Sequence, residues 1–451
     1  MLVFDSRSNN SERPALHAMK CVVDTSSVAN IRQSRSSACI ALACIALRDN
    51  NEKMTINEVS RTDRPYSARK GRLPRHLDEV TPQWLTSVLQ NRYPGIVVND
   101  FEQIQVRNGH TTKLRVALKL NEVGQAAGIP QNVCLKSNWS DGFESGEICE
   151  LEARFYHFMH DRLHTLVPDV YFSDWDGDGG GRGVVMMEDL GLAPGEFGHS
   201  THHLGVDGVA EGLESLAMLH AALWDSAELR AQAWLPTSMQ HPVDSDQFLR
   251  MYDYIRLNLR KPEYQAILPK WMYETPELFG HAFDELSAFE LEQQAPVCLV
   301  HGDAHQGNSF LRANGERVWL DWQLVRKGRP WRDVAYFMLG ALTIEERRAS
   351  APDLIKVYRE KLISLGAENV LDQDAAWDQF RRWPMYGMQA WLANVDEWGQ
   401  DGLIMVERFF AAAEDFDTVK LLTKGKAPRR TPKLGEGARQ VLPQFRHLLE
   451  D

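Results

Sequence analysis

The stretch from Val300 to Asp333, VHGDAHQGNSFLRANGERVWLDWQLVRKGRPWRD, constrains the fold more than any other part of the chain. It sets Asp303, Asn308 and Asp321 in a fixed order, five and then thirteen residues apart. Two short apolar runs, Ser309 to Leu311 and Val318 to Leu320, lie between Asn308 and Asp321, and the polar insert Arg312 to Glu316 separates them. Within that insert Asn314-Gly315 is a hairpin-turn pair, because both residues tolerate the positive φ that a tight turn demands. A hairpin here brings Asn308, at the start of one strand, near Asp321, at the end of the next. Asp303 precedes the hairpin and follows the apolar run Val297 to Val300. The pattern therefore predicts three oxygen-bearing side chains converging on one side of one small sheet.

That geometry suits phosphoryl transfer. An amide oxygen and a carboxylate are hard ligands, fitting for Mg2+ whose other positions are filled by water and phosphate. A second carboxylate nearby can accept a hydrogen bond from an attacking hydroxyl. An ordinary Asp, with a pKa of about 3.9, is a weak base, so Asp303 would mainly orient the nucleophile and take its proton late. A metallohydrolase is the competing reading, since His301, Asp303 and His305 alternate like zinc ligands. Alternation on a strand leaves Asn308 and Asp321 unexplained.

His301-Gly-Asp-Ala-His-Gln-Gly-Asn308, followed by Leu320-Asp-Trp-Gln323, resembles the signature of the aminoglycoside phosphotransferase and choline kinase-like (CHK kinase-like) superfamily, which shares the protein-kinase fold. The resemblance implies Asp303 as catalytic base, His305 beside the transferred phosphate, His301 as a brace of the loop, and Asn308 and Asp321 as metal ligands. It also implies ATP and Mg2+ as cofactors and a small-molecule hydroxyl as acceptor. Asp333, in Trp331-Arg-Asp-Val-Ala-Tyr-Phe-Met338, resembles a family Asp that braces the catalytic region.

Composition sets the outer bounds. The chain has 451 residues, enough for two or three domains, with 43% hydrophobic and 25% charged residues, as in an ordinary soluble protein. A formal charge of -12 argues against a general nucleic-acid binder, which needs a basic face. Six scattered cysteines have neither metal-ligand spacing nor the density of a disulfide framework, so a reducing, cytoplasmic compartment is the default. Residues 1 to 75 are polar with little periodicity and read as a disordered extension. The apolar run Ala38 to Leu47 is too short to span a bilayer, and no membrane association is expected. Met54 is the expected true start, with residues 1 to 53 a mis-called extension or a tail without function.

Residues 76 to 190 read as a nucleotide-binding lobe. Thr81-Pro82 is a helix start, with Thr as N-cap and Pro at the first helical position. Strand-like runs follow at Ile96 to Val106, Leu114 to Leu120, Val133 to Lys136, Val170 to Asp174 and Val184 to Glu188, which suggests an antiparallel sheet. The turn Arg107-Asn-Gly-His-Thr-Thr112 offers backbone amides and the hydroxyls of Thr111 and Thr112 to phosphate oxygens, although it holds a single Gly. The superfamily uses such a loop, often with more Gly and Ser. A helix is expected over Glu144 to Leu163. The kinase-like resemblance pairs Lys136 with a glutamate of this helix, and Glu152 matches best among Glu147, Glu150 and Glu152. The segment Met186-Met-Glu-Asp-Leu190 resembles the inter-lobe hinge, where backbone groups around Glu188 and Leu190 hold adenine. The acidic link from Asp174 to Gly183 is not a calcium loop, because its twelfth position is Val185 rather than Glu.

Residues 191 to 451 read as a helical lobe carrying the catalytic loop and the acceptor pocket. Leu213, Leu216, Ala217, His220, Leu223 and Trp224 recur at helical spacing, with His220 a core histidine. His199, His202 and His203 form a loop cluster expected to be solvated. Trp377, Trp383, Tyr386, Trp391 and Trp398 are expected in the core, with some lining the pocket. Residues 371 to 420 hold ten acidic and four basic residues, which slightly favours a cationic or polar acceptor. A final helix is expected over Gly435 to Asp451, after a basic linker from Lys424 to Lys433.

The fold class that follows is α+β: a bilobal protein-kinase-like fold with a small antiparallel sheet and a large, mainly helical lobe. The function that follows is transfer of the γ-phosphoryl group of ATP, with Mg2+, to a small-molecule hydroxyl. No Gly-x-x-x-x-Gly-Lys-Ser/Thr loop and no Gly-x-Ser-x-Gly elbow occur, which removes P-loop kinases and the usual serine hydrolases. An inactive kinase-like binding or regulatory protein is one alternative. A protein kinase is another, weakened by Gly302 and His305 standing where protein kinases carry Arg and Lys. The acceptor, ATP against GTP, and the oligomeric state stay open.

Overall fold

The computed structural model describes residues 73–109, 111–139, 148–239, 255–292, 296–393 and 399–427. The expected extension up to residue 72, the apolar run at 38–47, Met54, Glu147, Trp398 and the helix over 435–451 lie outside the described residues.

Leu73 is buried, and the Pro74 carbonyl accepts the Trp139 indole N–H at 2.9 Å. Helix α1 (Pro82–Leu89) starts as its sequence dictates: Thr81 Oγ1 accepts the Trp84 amide at 3.2 Å. Strands β1 (Val98–Asn108) and β2 (Thr112–Leu120) form a hairpin, and a short helix α2 (Glu122–Ala126) leads to β3 (Asn132–Ser137). Asn121 forms this helix by capping Gly124, a signal hidden in what reads as a turn-rich link. Helix α3 (Ile148–Leu163), then β4 (Val170–Trp175) and β5 (Gly183–Glu188), complete an antiparallel sheet of order β1-β2-β3-β5-β4. Along β2 the alternate residues Leu114, Val116 and Leu118 are buried in a core shared with α1 and β3. Lys113, Arg115 and Ala117 occupy the opposite face.

Strand β6 (Gly195–Phe197) leads into helix α4 (Gly205–Ala221), and helix α5 (Pro276–Glu292) comes after several shorter helices. Four short strands follow: β7 (Cys298–Val300), β8 (Ser309–Arg312), β9 (Arg317–Trp319) and β10 (Arg326–Gly328). Strand β8 lies between β6 and β9, and β7 pairs with β10. The hairpin read from Asn314-Gly315 forms, with Ser309 opposite Trp319 and Gly315 at φ 88°. Helices α6 (Trp331–Ala341), α7 (Ile344–Ser364), α8 (Gln373–Phe380), α9 (Pro384–Leu392) and α10 (Gly399–Asp415) fill the second lobe. The expected bilobal, kinase-like α+β architecture is thus present. No helix among the described residues is long and apolar enough to cross a membrane.

Candidate active site

The site is built from the hairpin outward. The Leu320 amide donates to the Asn308 carbonyl at 2.8 Å, which fixes the two ends of the hairpin side by side. Asn308 Nδ2 donates to both the carbonyl and Oδ2 of Asp303, each at 3.0 Å. Asp303 and Asn308 are therefore one unit, and the Asn308 Oδ1 is the amide atom left for another partner. Asp321 takes a left-handed conformation, φ 64° and ψ 60°, uncommon for a residue with a side chain. This bend ends β9 and turns its carboxylate toward the sheet of the first lobe.

There the carboxylate meets Lys136. The Lys136 ammonium lies 2.7 Å from Asp321 Oδ1 and 2.8 Å from Glu152 Oε2, with both Lys136 and Glu152 almost wholly buried. Burial by itself favours the neutral amine, but Asp321 and Glu152 override it and hold the Lys136 pKa above the usual lysine range. Burial also raises carboxyl groups. At Asp321 the Lys136 ammonium, with Lys113 behind it, overturns this and keeps the group well below the usual carboxylate range. At Glu152 burial prevails and the pKa is raised. Lys136 therefore stays charged and Asp321 stays ionised at neutral pH.

His301 braces this arrangement through both ring nitrogens: Nε2 lies 2.8 Å from the Leu320 carbonyl, and Nδ1 accepts the Asp303 amide at 3.2 Å. Burial lowers its pKa, so the ring is neutral. With both nitrogens spent, His301 has no lone pair for a metal, and the zinc reading of His301, Asp303 and His305 fails. His305 is also buried with a lowered pKa. Its Nδ1 lies 3.3 Å from Ser200 Oγ and its Nε2 3.9 Å from Asp303 Oδ2. Asp333 accepts the amides of His301 at 2.6 Å and Gly302 at 2.9 Å, and His220 Nε2 lies 3.2 Å away. His220 is thus a core residue, as its helical spacing indicates, but one that links Asp333 to the Tyr358 hydroxyl at 2.7 Å. Gly302 sits at φ +87°, where an added Cβ would come 2.0 Å from the Leu324 carbonyl oxygen, so only glycine fits.

The turn between β1 and β2 departs from expectation in its hydroxyls. Thr112 Oγ1 donates to Asn108 Oδ1 at 3.1 Å, closing the hairpin, and Thr111 Oγ1 faces Gln323. With its amide turned to satisfy both ends, Gln323 donates to Asp321 Oδ1 at 3.0 Å and accepts from Lys136 Nζ and Thr111 Oγ1 at 3.2 Å. Both threonines are buried, so the loop offers its backbone rather than these hydroxyls. At the hinge, the Glu188 carboxylate accepts the Asp169 amide at 3.0 Å and is gripped by Arg312. Leu190 is buried with Phe310 and Val318. Their side chains are thus engaged in anchoring this segment. Asp189 fixes it further by accepting from Arg115 Nε at 2.9 Å.

Several residues at this site escape sequence reasoning. Lys113 Nζ lies 3.6 Å from Asp321 Oδ2, and its side chain is 45% exposed. Tyr336 is buried on α6, and the charge of Asp303 adds to burial in raising its phenol pKa. Tyr386 on α9 donates to the Gly302 carbonyl at 2.7 Å, and Arg332 Nη2 donates to that carbonyl and to the Tyr386 hydroxyl. Trp391 lies edge-on to His305 at 5.8 Å, and Trp383 is core. The alternation of Arg115, Lys113 and Thr111 along a strand was the one available signal for Lys113. The loop histidines are exposed: His199 stacks on His202 with ring centroids 4.2 Å apart, His203 Nε2 lies 2.7 Å from Glu346, and His199 Nε2 lies 3.5 Å from Asp401.

The oxygens of Asn308 and Asp321 fit a hard divalent cation. Two protein oxygens of this kind leave most of an octahedral shell to water and phosphate, as Mg2+ prefers. Among the described residues no group of three or more His, Cys, Asp or Glu gathers into a closed protein cage for a metal.

A family model described as the ecdysteroid kinase-like family matches residues 143–368. No curated protein matches the chain. Among solved structures, an ethanolamine kinase from Plasmodium vivax aligns at 10% identity and a TM-score of 0.43, over 71% of this chain and 83% of its own. An aminoglycoside 2'-phosphotransferase in a GDP complex aligns at 12% identity and 0.43, over 74% and 98%. A spectinomycin phosphotransferase in complex with ADP and spectinomycin aligns at 14% identity and 0.41, over 76% and 97%.

Proposed function

The chain belongs to the ecdysteroid kinase-like family, and from that premise we propose that it is a small-molecule kinase, transferring the γ-phosphoryl group of ATP to an alcohol of its acceptor. The observation that carries this reading is the convergence on Lys136. A buried strand lysine, a helix glutamate and the carboxylate that ends the hairpin meet within 3.0 Å, beside the Asp303–Asn308 unit. A structural role alone gives no reason to bury one ammonium between two carboxylates and leave Asp321 partly open to the cleft.

In this reading Lys136 holds the phosphates, and Glu152 fixes the lysine. Asn308 Oδ1 and Asp321 would hold Mg2+, which supplies charge neutralisation on the phosphates when bound. Asp303 accepts the acceptor's hydroxyl proton, held in register by Asn308. As the acceptor oxygen bonds to the γ-phosphorus, the bond to the β,γ-bridging oxygen breaks, ADP leaves, and the proton goes to Asp303. Positioning and electrostatics supply the acceleration. His305 lies near enough to Asp303 to touch the transferred group, and the main chain from Glu188 to Leu190 lines the base. Residues 76–190 form the nucleotide lobe and residues 191–451 the lobe that presents the acceptor. The family's name points to polyhydroxylated steroids as the first acceptors to try, followed by amino alcohols and sugars.

The test is calorimetric titration of ATP with and without Mg2+, on wild type and Asp321→Ala, followed by an acceptor screen with Asp303→Asn as the inactive control. Metal-dependent binding that Asp321→Ala weakens, with turnover that Asp303→Asn abolishes, is the expected result. No binding to ATP or GTP overturns it, and binding without turnover on any alcohol leaves a nucleotide-binding module instead of a kinase.

A further inference from the structure

Strand register puts three cations in one row. Lys113 on β2 is the direct partner of Lys136 on β3, and Arg107 on β1 is the direct partner of Lys113. Direct partners in an antiparallel pair project from the same face, with Cβ atoms about 5 Å apart. The row therefore crosses the sheet on its cleft face, at the end next to the loop 108–112. Like charges directly opposite each other cost stability, so pairing gives no reason for this row.

Lys136 is already committed to Glu152 and Asp321, and its side chain is 4% exposed. Lys113 is different. Among the described residues it forms an ion pair with Asp321, at 3.6 Å, and nearly half of its side chain faces solvent. The loop beside it holds one described glycine, Gly109, and both of its threonine hydroxyls are turned inward. Two residues further along the same strand face, Arg115 is tied to Asp189. The open cation thus stands at the loop end of the cleft, away from the hinge.

Resting on the kinase reading above, we propose that Lys113 is a second phosphate-binding residue, which grips the terminal phosphates of the nucleoside triphosphate in place of the glycine-rich backbone this loop lacks. An ammonium on a flexible stem reaches an anion without the close main-chain approach that glycine permits. Asp321 keeps Lys113 pointed into the cleft until a polyphosphate enters. The assignment predicts that recognition deepens with each phosphate on the ligand, and that Lys113 carries a measurable share of the gain.

The experiment compares wild type, Lys113→Ala and Lys113→Arg for binding of ATP, ADP, AMP and adenosine by calorimetry in excess Mg2+, with the unliganded melting temperature of each. The expected result is an ATP affinity about tenfold weaker in Lys113→Ala, the size of a charge-assisted contact in a half-exposed site. Adenosine binding stays within about twofold, Lys113→Arg recovers most of the loss, and the unliganded melting temperature does not fall, because a like-charge pair has been relieved. Unchanged ATP affinity in Lys113→Ala overturns the inference, as does an equal loss for ATP and adenosine, which marks general damage to the cleft. A wild type that binds none of the four ligands overturns the kinase reading itself. A wild type that binds ATP well and is indifferent to Lys113 overturns this assignment alone.

Discussion

Phe155 and Trp322 stack face to face, with ring centroids 3.8 Å apart and planes within 12°. Phe155 follows Glu152 by less than one turn of α3, and Trp322 follows Asp321 directly. The stack therefore couples the helix that holds Lys136 to the bend that holds Asp321, and the Trp322 amide adds a hydrogen bond to Glu152 Oε1 at 3.2 Å. Because the rings are fully buried, Phe155→Ala should cost about 3–5 kcal/mol of stability. Phe155→Leu fills more of the space and should cost less, but it loses the flat contact that sets the spacing of Glu152 and Asp321. Denaturant unfolding should show a smaller loss for Phe155→Leu than for Phe155→Ala. ATP titration should show weakened binding in both.

Asp333 holds the catalytic loop by its main chain, since its two oxygens take the amides of His301 and Gly302 and one also meets His220. Burial works against the ionised form, but His220 and these amides prevail, and the pKa is lowered. In Asp333→Asn one oxygen becomes an NH2 facing an amide N–H, donor against donor. Stability should fall by about 2–3 kcal/mol, the size of a hydrogen bond to a charged group. Turnover should fall further than nucleotide affinity, because the loop carries Asp303 whereas Lys136 lies on another lobe. Steady-state kinetics beside ATP titration checks the split.

Glu290 on α5 supplies a pH signature far from the chemistry. Its Oε1 accepts the Arg329 amide at 2.9 Å, and its Oε2 lies 3.4 Å from Arg329 Nε. Burial outweighs both and pushes the carboxyl up to about 7. The unfolded value is about 4.3, so the folded state holds the extra proton between the two, and stability falls as pH rises through that window. The stability of wild type relative to Glu290→Gln should therefore decline by up to about 3 kcal/mol between pH 4.5 and 8. Taking the difference also removes His301 and His305, whose lowered pKa values act with the opposite sign. Urea unfolding of both proteins across this range is the measurement, and a flat difference would refute the assignment.

Elements with strong local signals were legible in the sequence. Thr81-Pro82 starts α1, Asn314-Gly315 turns the hairpin, and the five strand runs of the first lobe lie within a few residues of β1 to β5. Lys136 could be placed against Glu152 because resemblance supplied the pairing that distance in sequence conceals. The rest depends on information a single sequence does not display. Strands β7 and β10 are three residues each and pair across a gap of 25 residues, too short for periodicity to register. Lys113 depends on the register between β2 and β3, and a slip of one residue would turn it into the core. Tyr336 and Tyr386 sit among many aromatics on buried helices. Spacing shows that these are inside without showing which phenol neighbours Asp303 or Gly302. Thr111 and Thr112 read as outward donors because turns are usually polar and solvated, whereas here the loop closes onto Asn108 and Gln323.

Removing Lys136 should be more costly than removing either of its partners. Lys136→Met leaves Glu152 and Asp321 facing each other with no ammonium between them, and a buried group deprived of its counter-charge costs about 3–5 kcal/mol. Adding Glu152→Gln in the same chain removes one of the stranded charges and should restore a substantial part of that stability, though not nucleotide binding. A double-mutant cycle by thermal unfolding, with ATP titration of each variant, measures the coupling. A double variant no more stable than Lys136→Met would mean that the three groups are not one unit.

Tyr336 tests what holds the base. Its ring is packed against Phe409 at 5.5 Å and Tyr386 at 5.2 Å, and its phenol feels the charge of Asp303. Burial, with Asp303 adding to it, raises the phenol pKa well above the ordinary value, so the group is a permanent donor. Tyr336→Phe keeps the packing and deletes only that donor. Asp303 then keeps the hydrogen bond from Asn308 at 3.0 Å and His305 Nε2 at 3.9 Å, and the carboxylate gains freedom to rotate. The expected result is a loss of about tenfold in kcat for the phosphorylated alcohol, a typical cost for a single positioning hydrogen bond. ATP affinity should be unchanged, because Tyr336 lies on α6 whereas Lys136 lies on β3 of the first lobe. If KM for ATP rises in parallel with the fall in kcat, the hydroxyl is organising the whole cleft and not the base.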